Sequence, residues 1–161
     1  MNSNRHAPLG LKTPIHQQPE TPGTTEGNNA PRQQLEVVVI FTNTAGTLAA
    51  LQMADRLAKR LDARLRLLLP YEVPYTLPLT KPAVPVGFLE GQLQAVACKV
   101  PIEISAHVFL CRDKRRTLKL ILKPHSLVVI GGRKRWWPTE EQRLVSLLKK
   151  DGHQVVFAET R

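Results

Sequence analysis

The chain predicts an α/β domain built on a doubly wound, five-stranded parallel sheet. Continuous apolar runs rich in valine and isoleucine, too unbroken for strands with one wet face, occur at Leu35–Phe41 and Leu127–Ile130. Between the strand-like runs lie stretches whose apolar residues recur every three or four positions, and the two kinds of segment alternate. Parallel neighbours joined through helices require right-handed crossovers, which place helices on both faces of the sheet. In open sheets of this kind ligands sit beyond the carboxyl ends of the strands, where the winding direction reverses.

Each element follows from its residues. After Leu35–Phe41, the short turn Thr42–Gly46 leads to a helix from Thr47 to Leu61, with Leu48, Leu51, Ala54, Ala58 and Leu61 on one stripe. Arg64–Leu69 is a second strand ended by Pro70, and Pro74, Pro78, Pro82 and Pro85 make Tyr71–Pro85 an extended loop. A weaker helix over Val86–Cys98 offers Phe88, Leu89, Leu93, Val96 and Ala97 to the interior. Ile102–Leu110 alternates, with Ile102, Ile104, Ala106, Val108 and Leu110 on one side, as a half-covered edge strand does. Arg112–Lys123 is a short helix facing Leu118, Ile121 and Leu122 inward, and Pro124 stops it. Leu127–Ile130 is the fourth strand. Thr139-Glu-Glu-Gln142 reads as a capping box opening a helix with Leu144, Val145, Leu147 and Leu148 inside; Gly152 closes it before a last strand, Gln154–Ala158.

Residues 1–33 hold proline, glycine, asparagine and threonine without apolar periodicity, the composition of a disordered tail, and 34–161 form the domain. About 130 residues bury roughly two-thirds of their unfolded surface, enough for a core without disulfides or metal. With no secretory leader and no membrane-length apolar run, a soluble cytoplasmic protein is expected. Cys98 and Cys111 lack metal or redox spacing and read as buried reduced thiols. The histidines His6, His16, His107, His125 and His153 are scattered, so no metal site is expected, and His107 reads as a surface or satisfied residue. No nucleophile elbow or carboxylate pair stands at a strand end, since Asp55, Asp62, Glu140 and Glu141 fall on helix surfaces. The reading is of a protein that is not an enzyme and needs no cofactor.

The net charge of +10 is unevenly placed. Residues 112–135 carry Arg112, Lys114, Arg115, Arg116, Lys119, Lys123, Arg133, Lys134 and Arg135 against Asp113 alone. Such a basic patch could track a polyanion such as nucleic acid, an anionic membrane surface or an acidic protein partner, or could be a solvated helix face. At the end of the fourth strand, Gly131 and Gly132 could bend around an anion, Arg133, Lys134 and Arg135 supply charge, and Trp136 or Trp137 could stack on a base. The alternative there is structural: one tryptophan covers the sheet edge and the other shields Pro138.

The stretch Val37–Leu51 (VVVIFTNTAGTLAAL), then Ala54, Leu57-Ala58 and Leu61–Leu69 (LDARLRLLL), together with Leu127–Arg133 (LVVIGGR), resembles a universal stress protein domain over about residues 35–159. The resemblance implies the adenine nucleotide alpha hydrolase-like sheet of the universal stress protein type, strand order 3-2-1-4-5, with strands one and four adjacent at the switch point. Many members of that family bind ATP there, through an aspartate ending the first strand and a G-x-x-G-x9-G-[ST] loop after the fourth. Thr42 stands at the aspartate position, Lys134 at the second glycine, and the later glycine pair is missing, so only Gly131 remains, with Gly132 beside it. Their loss removes the phosphate cradle and the ribose acceptor. The expectation is a non-enzymatic, stress-associated regulatory or scaffolding domain that does not bind ATP in the usual way and self-associates as a homodimer through its last strand. The alternative is a nucleotide- or nucleic-acid-binding protein using Thr42, Asn43 and the GGRKRWW loop with the basic helix before it.

Overall fold

The computed structural model describes residues 34–160; the tail expected over 1–33 lies outside the described residues. The elements run β1 (Glu36–Ile40), α1 (Thr44–Leu61), β2 (Arg64–Glu72), α2 (Val86–Ala97), β3 (Ile104–Cys111), α3 (Lys114–Ile121), β4 (Leu127–Gly132), α4 (Glu140–Lys150) and β5 (Gln154–Glu159). All four pairings are parallel and the order is β3-β2-β1-β4-β5, as expected. The central strand explains why its sequence shows no polar alternation: Val37 and Val39 enter one core while Val38 and Ile40 enter the other, all fully or almost fully buried. α1 and α2 cover the first core through Ala50, Leu51, Ala54, Leu89 and Leu93. α3 and α4 close the second through Leu118 and Leu148.

Several boundaries differ from the sequence expectation, each for a local reason. α1 starts at Thr44 rather than Thr47, because the Asn43 side chain accepts from the Gly46 amide at 2.8 Å and so begins the helix inside the expected turn. β2 continues through Pro70 to Glu72. The Phe41 amide donates to the Leu68 carbonyl, and strand alternation puts the Pro70 nitrogen on that same side, past the end of β1, where no ladder bond is required. α3 runs from Lys114 only to Ile121, since Asp113 caps it. β4 extends to Gly132, so both glycines belong to the strand and not to the loop. Phe88, assigned to the inner face of α2, is 59% exposed, and Leu89, Leu93 and Val96 alone are buried there. Asp55 is buried rather than on the surface, paired with Lys59 at 2.7 Å. Cys98 is exposed, whereas Cys111 is buried with its thiol directed at the Tyr71 carbonyl.

β3 lies at one edge, and its alternation holds: Ile104, Ala106, Val108 and Leu110 pack on the first core while Phe109 meets the second. His107 stands on the Phe109 side, their rings 6.3 Å apart, in register with Leu68. Burial, aided by the neighbouring Arg66 charge, holds its imidazole below the ordinary 6.5. The unfolded chain therefore binds the proton more readily than the folded one, so stability is greatest above pH 6.5, falls as pH drops below it, and levels off beneath the folded value. Urea unfolding at stepped pH should show that acid decline flattened in His107→Phe; an unchanged or steeper decline contradicts this account.

Candidate functional site

β1 and β4 pair up to Ile40 and Ile130, so the chain leaves β1 at Phe41 and Thr42 beside Gly131 and Gly132. This is the switch point of the sheet. Thr42 bridges it: its hydroxyl donates to the Gly131 carbonyl at 2.8 Å, and its own amide donates to the Thr47 hydroxyl at 3.1 Å. The first turn of α1 rests directly on the end of β4. A Cβ on Gly46 would stand 2.6 Å from the Gly131 oxygen, and one on Gly131 would overlap the Gly46 carbonyl. Gly132 is buried too, and a Cβ there would lie 3.2 Å from Cγ of Glu141. Close packing therefore accounts for the glycines that the sequence offered as an anion loop.

Helix N-termini are the usual anion sites of such a rim, because their first amides lack intrahelical partners. The three flanking this switch point are engaged by the chain itself. Asn43 caps α1. The Asp113 carboxylate accepts from the Arg115 and Arg116 amides at 2.8 and 3.1 Å, and Glu72 accepts from the Lys114 amide at 2.8 Å, closing α3. The capping box of Thr139 and Gln142 closes α4, with Glu140 and Glu141 in its first turn. Between α3 and α4 lies an open cleft of about 280 Å³ whose wall mixes Glu72, Glu140 and Glu141 with Lys114, Arg115 and Arg143. Phe41 and Thr42 line it too, and with three carboxylates among three cations it is a mixed-charge cleft rather than a cationic phosphate cradle.

The basic set does not form one platform. Arg112 faces the crossover loop, donating to the carbonyls of Val73, Pro74 and Leu77, with its guanidinium 5.2 Å from the Tyr75 ring centroid. Lys119 pairs with Asp151 at 3.2 Å, and Lys123 with Glu36 at 3.3 Å, at the opposite end of the sheet from the switch point. Lys114, Arg115 and Arg116 remain at the α3 N-terminus. Arg133, Lys134 and Arg135 are exposed in the loop after β4, where Trp136 is 95% and Trp137 79% exposed. Neither indole covers the sheet edge or shields Pro138, which overturns the structural alternative for them. A second shallow cleft beside this loop is lined by Asn43, Arg133, Arg135, Thr139 and Thr160, and shares Glu141 with the first.

Sequence reasoning missed Glu72, Thr47 and Gly46 at this site. Asp113 before a run of cations was a legible cap signal, but nothing in the sequence shows that Glu72 reaches the same helix. Among the described residues no group of three or more potential metal ligands occurs. Burial pushes the Cys111 thiol above its ordinary range, so it is an inert packing residue.

No protein-family model matches the chain, and no curated protein is similar to it in sequence. Among solved structures, the fold matches a universal stress protein from Archaeoglobus fulgidus with a TM-score of 0.55 at 12% identity, over 78% of this chain and 93% of that one. A universal stress protein in complex with cAMP gives a TM-score of 0.48 at 14% identity, over 80% of this chain and 98% of that one. The fold is thus the universal stress protein α/β fold.

Closure of the switch point makes two substitutions informative. Gly131→Ala forces α1 off β4 and should destabilise by about 3 kcal/mol or more, on the scale of core overpacking. Thr42→Val removes one bridging hydroxyl and should cost about 1 kcal/mol. Chemical denaturation checks both; a neutral Gly131→Ala contradicts the packing described.

Proposed function

We propose that this chain is a non-enzymatic regulatory or scaffolding domain of the universal stress protein fold, associated with stress responses, that does not hold ATP in the manner the family resemblance implies. One observation carries the reading: Thr42, at the position where the family resemblance implies an aspartate, donates its hydroxyl to the Gly131 carbonyl, and Gly131 is packed against Gly46 rather than free to turn around a phosphate. The capped helices and the acids beside them support it, since the amides of Gly46, Lys114, Arg115, Arg116 and Gln142 already have acceptors and Glu140 and Glu141 offset the cations of the cleft. Two other acids of the rim are engaged as well. Glu72 and Asp113 hold backbone amides, which argues against a general acid or base among them.

The test is a nucleotide assay on the purified full chain, followed by calorimetry with magnesium ATP. The expected result is no co-purifying nucleotide and no saturable heat. Near-stoichiometric ATP binding that weakens in Thr42→Val overturns the reading.

Self-association through β5 belongs to the same proposal. β5 is an edge strand whose Val155, Val156 and Phe157 are only partly buried. The Gln154 and Thr160 amides donate to the carbonyls of Ser126, just before β4, and of Gly132 at its end, so alternation turns the amides of Val155 and Phe157 outward, available to a second copy. Light scattering should give a dimer that dissociates in Val155→Pro with far-UV circular dichroism retained; a monomeric parent protein removes this part of the proposal.

A further inference from the structure

We infer that the loop Arg133–Trp137 is a stacking platform for single-stranded nucleic acid. Two adjacent indoles stand clear of the core, 95% and 79% exposed, although burial of such rings is a main source of stability. Bare aromatic surface of this size marks a contact site. Three consecutive cations precede the rings, and among the described residues no ion pair involves Arg133, Lys134 or Arg135. Their charge is therefore available to an incoming anion.

The cleft beside the loop narrows the choice of partner. Arg133 and Arg135 share it with Thr160, with Asn43 and Thr139, whose side-chain oxygens cap α1 and α4, and with one carboxylate, Glu141, so two guanidiniums against a single acid leave a groove suited to a phosphate strand. An acidic protein would satisfy the cations but offer no flat partner to two indoles. A bilayer would accept the indoles, but interfacial anchors are reinforced by neighbouring aliphatic residues, and this loop is bordered by Pro138, Thr139, Glu140 and Glu141. A duplex keeps its base faces stacked inside. A single strand supplies a regular anionic backbone and open base faces together.

The inference is independent of the closed switch point, because the bases stack outside the sheet and no phosphate enters between β1 and β4. It is also narrower than the expectation from sequence. Arg112, Lys119 and Lys123 are engaged within the fold, so half of the basic set before β4 is withdrawn from the platform.

The experiment titrates the full chain with a labelled oligothymidylate of about a dozen nucleotides, following anisotropy and tryptophan quenching across a salt series. Parallel arms use a duplex of the same length and phosphatidylcholine vesicles containing phosphatidylserine. Binding of the single strand should exceed that of the duplex by about tenfold, and log K should fall with log salt at a slope of about −2, as three phosphate contacts on a single strand imply. Trp136→Ala with Trp137→Ala should weaken binding at least about tenfold while keeping the slope. Joint replacement of Arg133, Lys134 and Arg135 by alanine should flatten the slope. These side chains are exposed, so circular dichroism should show both variants folded. Absence of binding at low salt, equal affinity for duplex, undiminished binding by the double tryptophan variant, or capture by vesicles without oligonucleotide binding each overturns the proposal.

Discussion

The approach of one backbone to another at the end of the sheet constrains the rest of this molecule. α1 leaves β1 and turns back across β4, and its first turn reaches the Gly131 backbone with no side chain between them. That contact needs glycine on both sides, and Thr42 locks it with a hydroxyl bonded across the two strands. With α1 seated so low, its stripe of Ala50, Leu51, Ala54 and Ala58 meets the sheet through small residues, and the first core is correspondingly tight. The cost is borne at the switch point, where α1 and the end of β4 meet without room between them and the cleft toward α3 and α4 stays open.

The consequence for function follows from what the rim does with its polar groups. A site for a phosphate group needs unpaired amides, positive helix ends and room. Here the first three amides of α3 are taken by Asp113 and Glu72, one amide each of α1 and α4 is taken by Asn43 and Thr139, and two glutamates occupy the first turn of α4. The features that could engage a partner have moved outward, to three cations and two indoles on a loop beyond the strand end.

How much of this was legible depends on whether the determinant was local. The unbroken apolar run Val37–Ile40 reports burial on both faces, because each residue answers to its own neighbours in one core or the other. Thr139 and Gln142 are near in sequence, so their capping box was readable. The glycines were not. Gly131 and Gly132 look the same whether they cradle a phosphate or admit a helix, and only the distant Gly46 decides between the two. Pro70 misled for a similar reason, since the end of β1, not the proline, determines whether its missing amide matters. Arg112 counted as one more cation until three carbonyls from another segment were seen to receive it.

That last arrangement bears on how the long crossover behaves. The planar fork of Arg112 reaches from the end of β3 to Val73, Pro74 and Leu77, with Tyr75 over its face, so the start of the proline-rich connection is tied to the sheet margin by this side chain and by the Val73 amide bonded to the Cys111 carbonyl. A lysine could offer only one compact ammonium to those acceptors. The first residues beyond β2 are in this way fastened alongside β3 before the chain turns toward α2, by delocalised charge as well as by proline geometry.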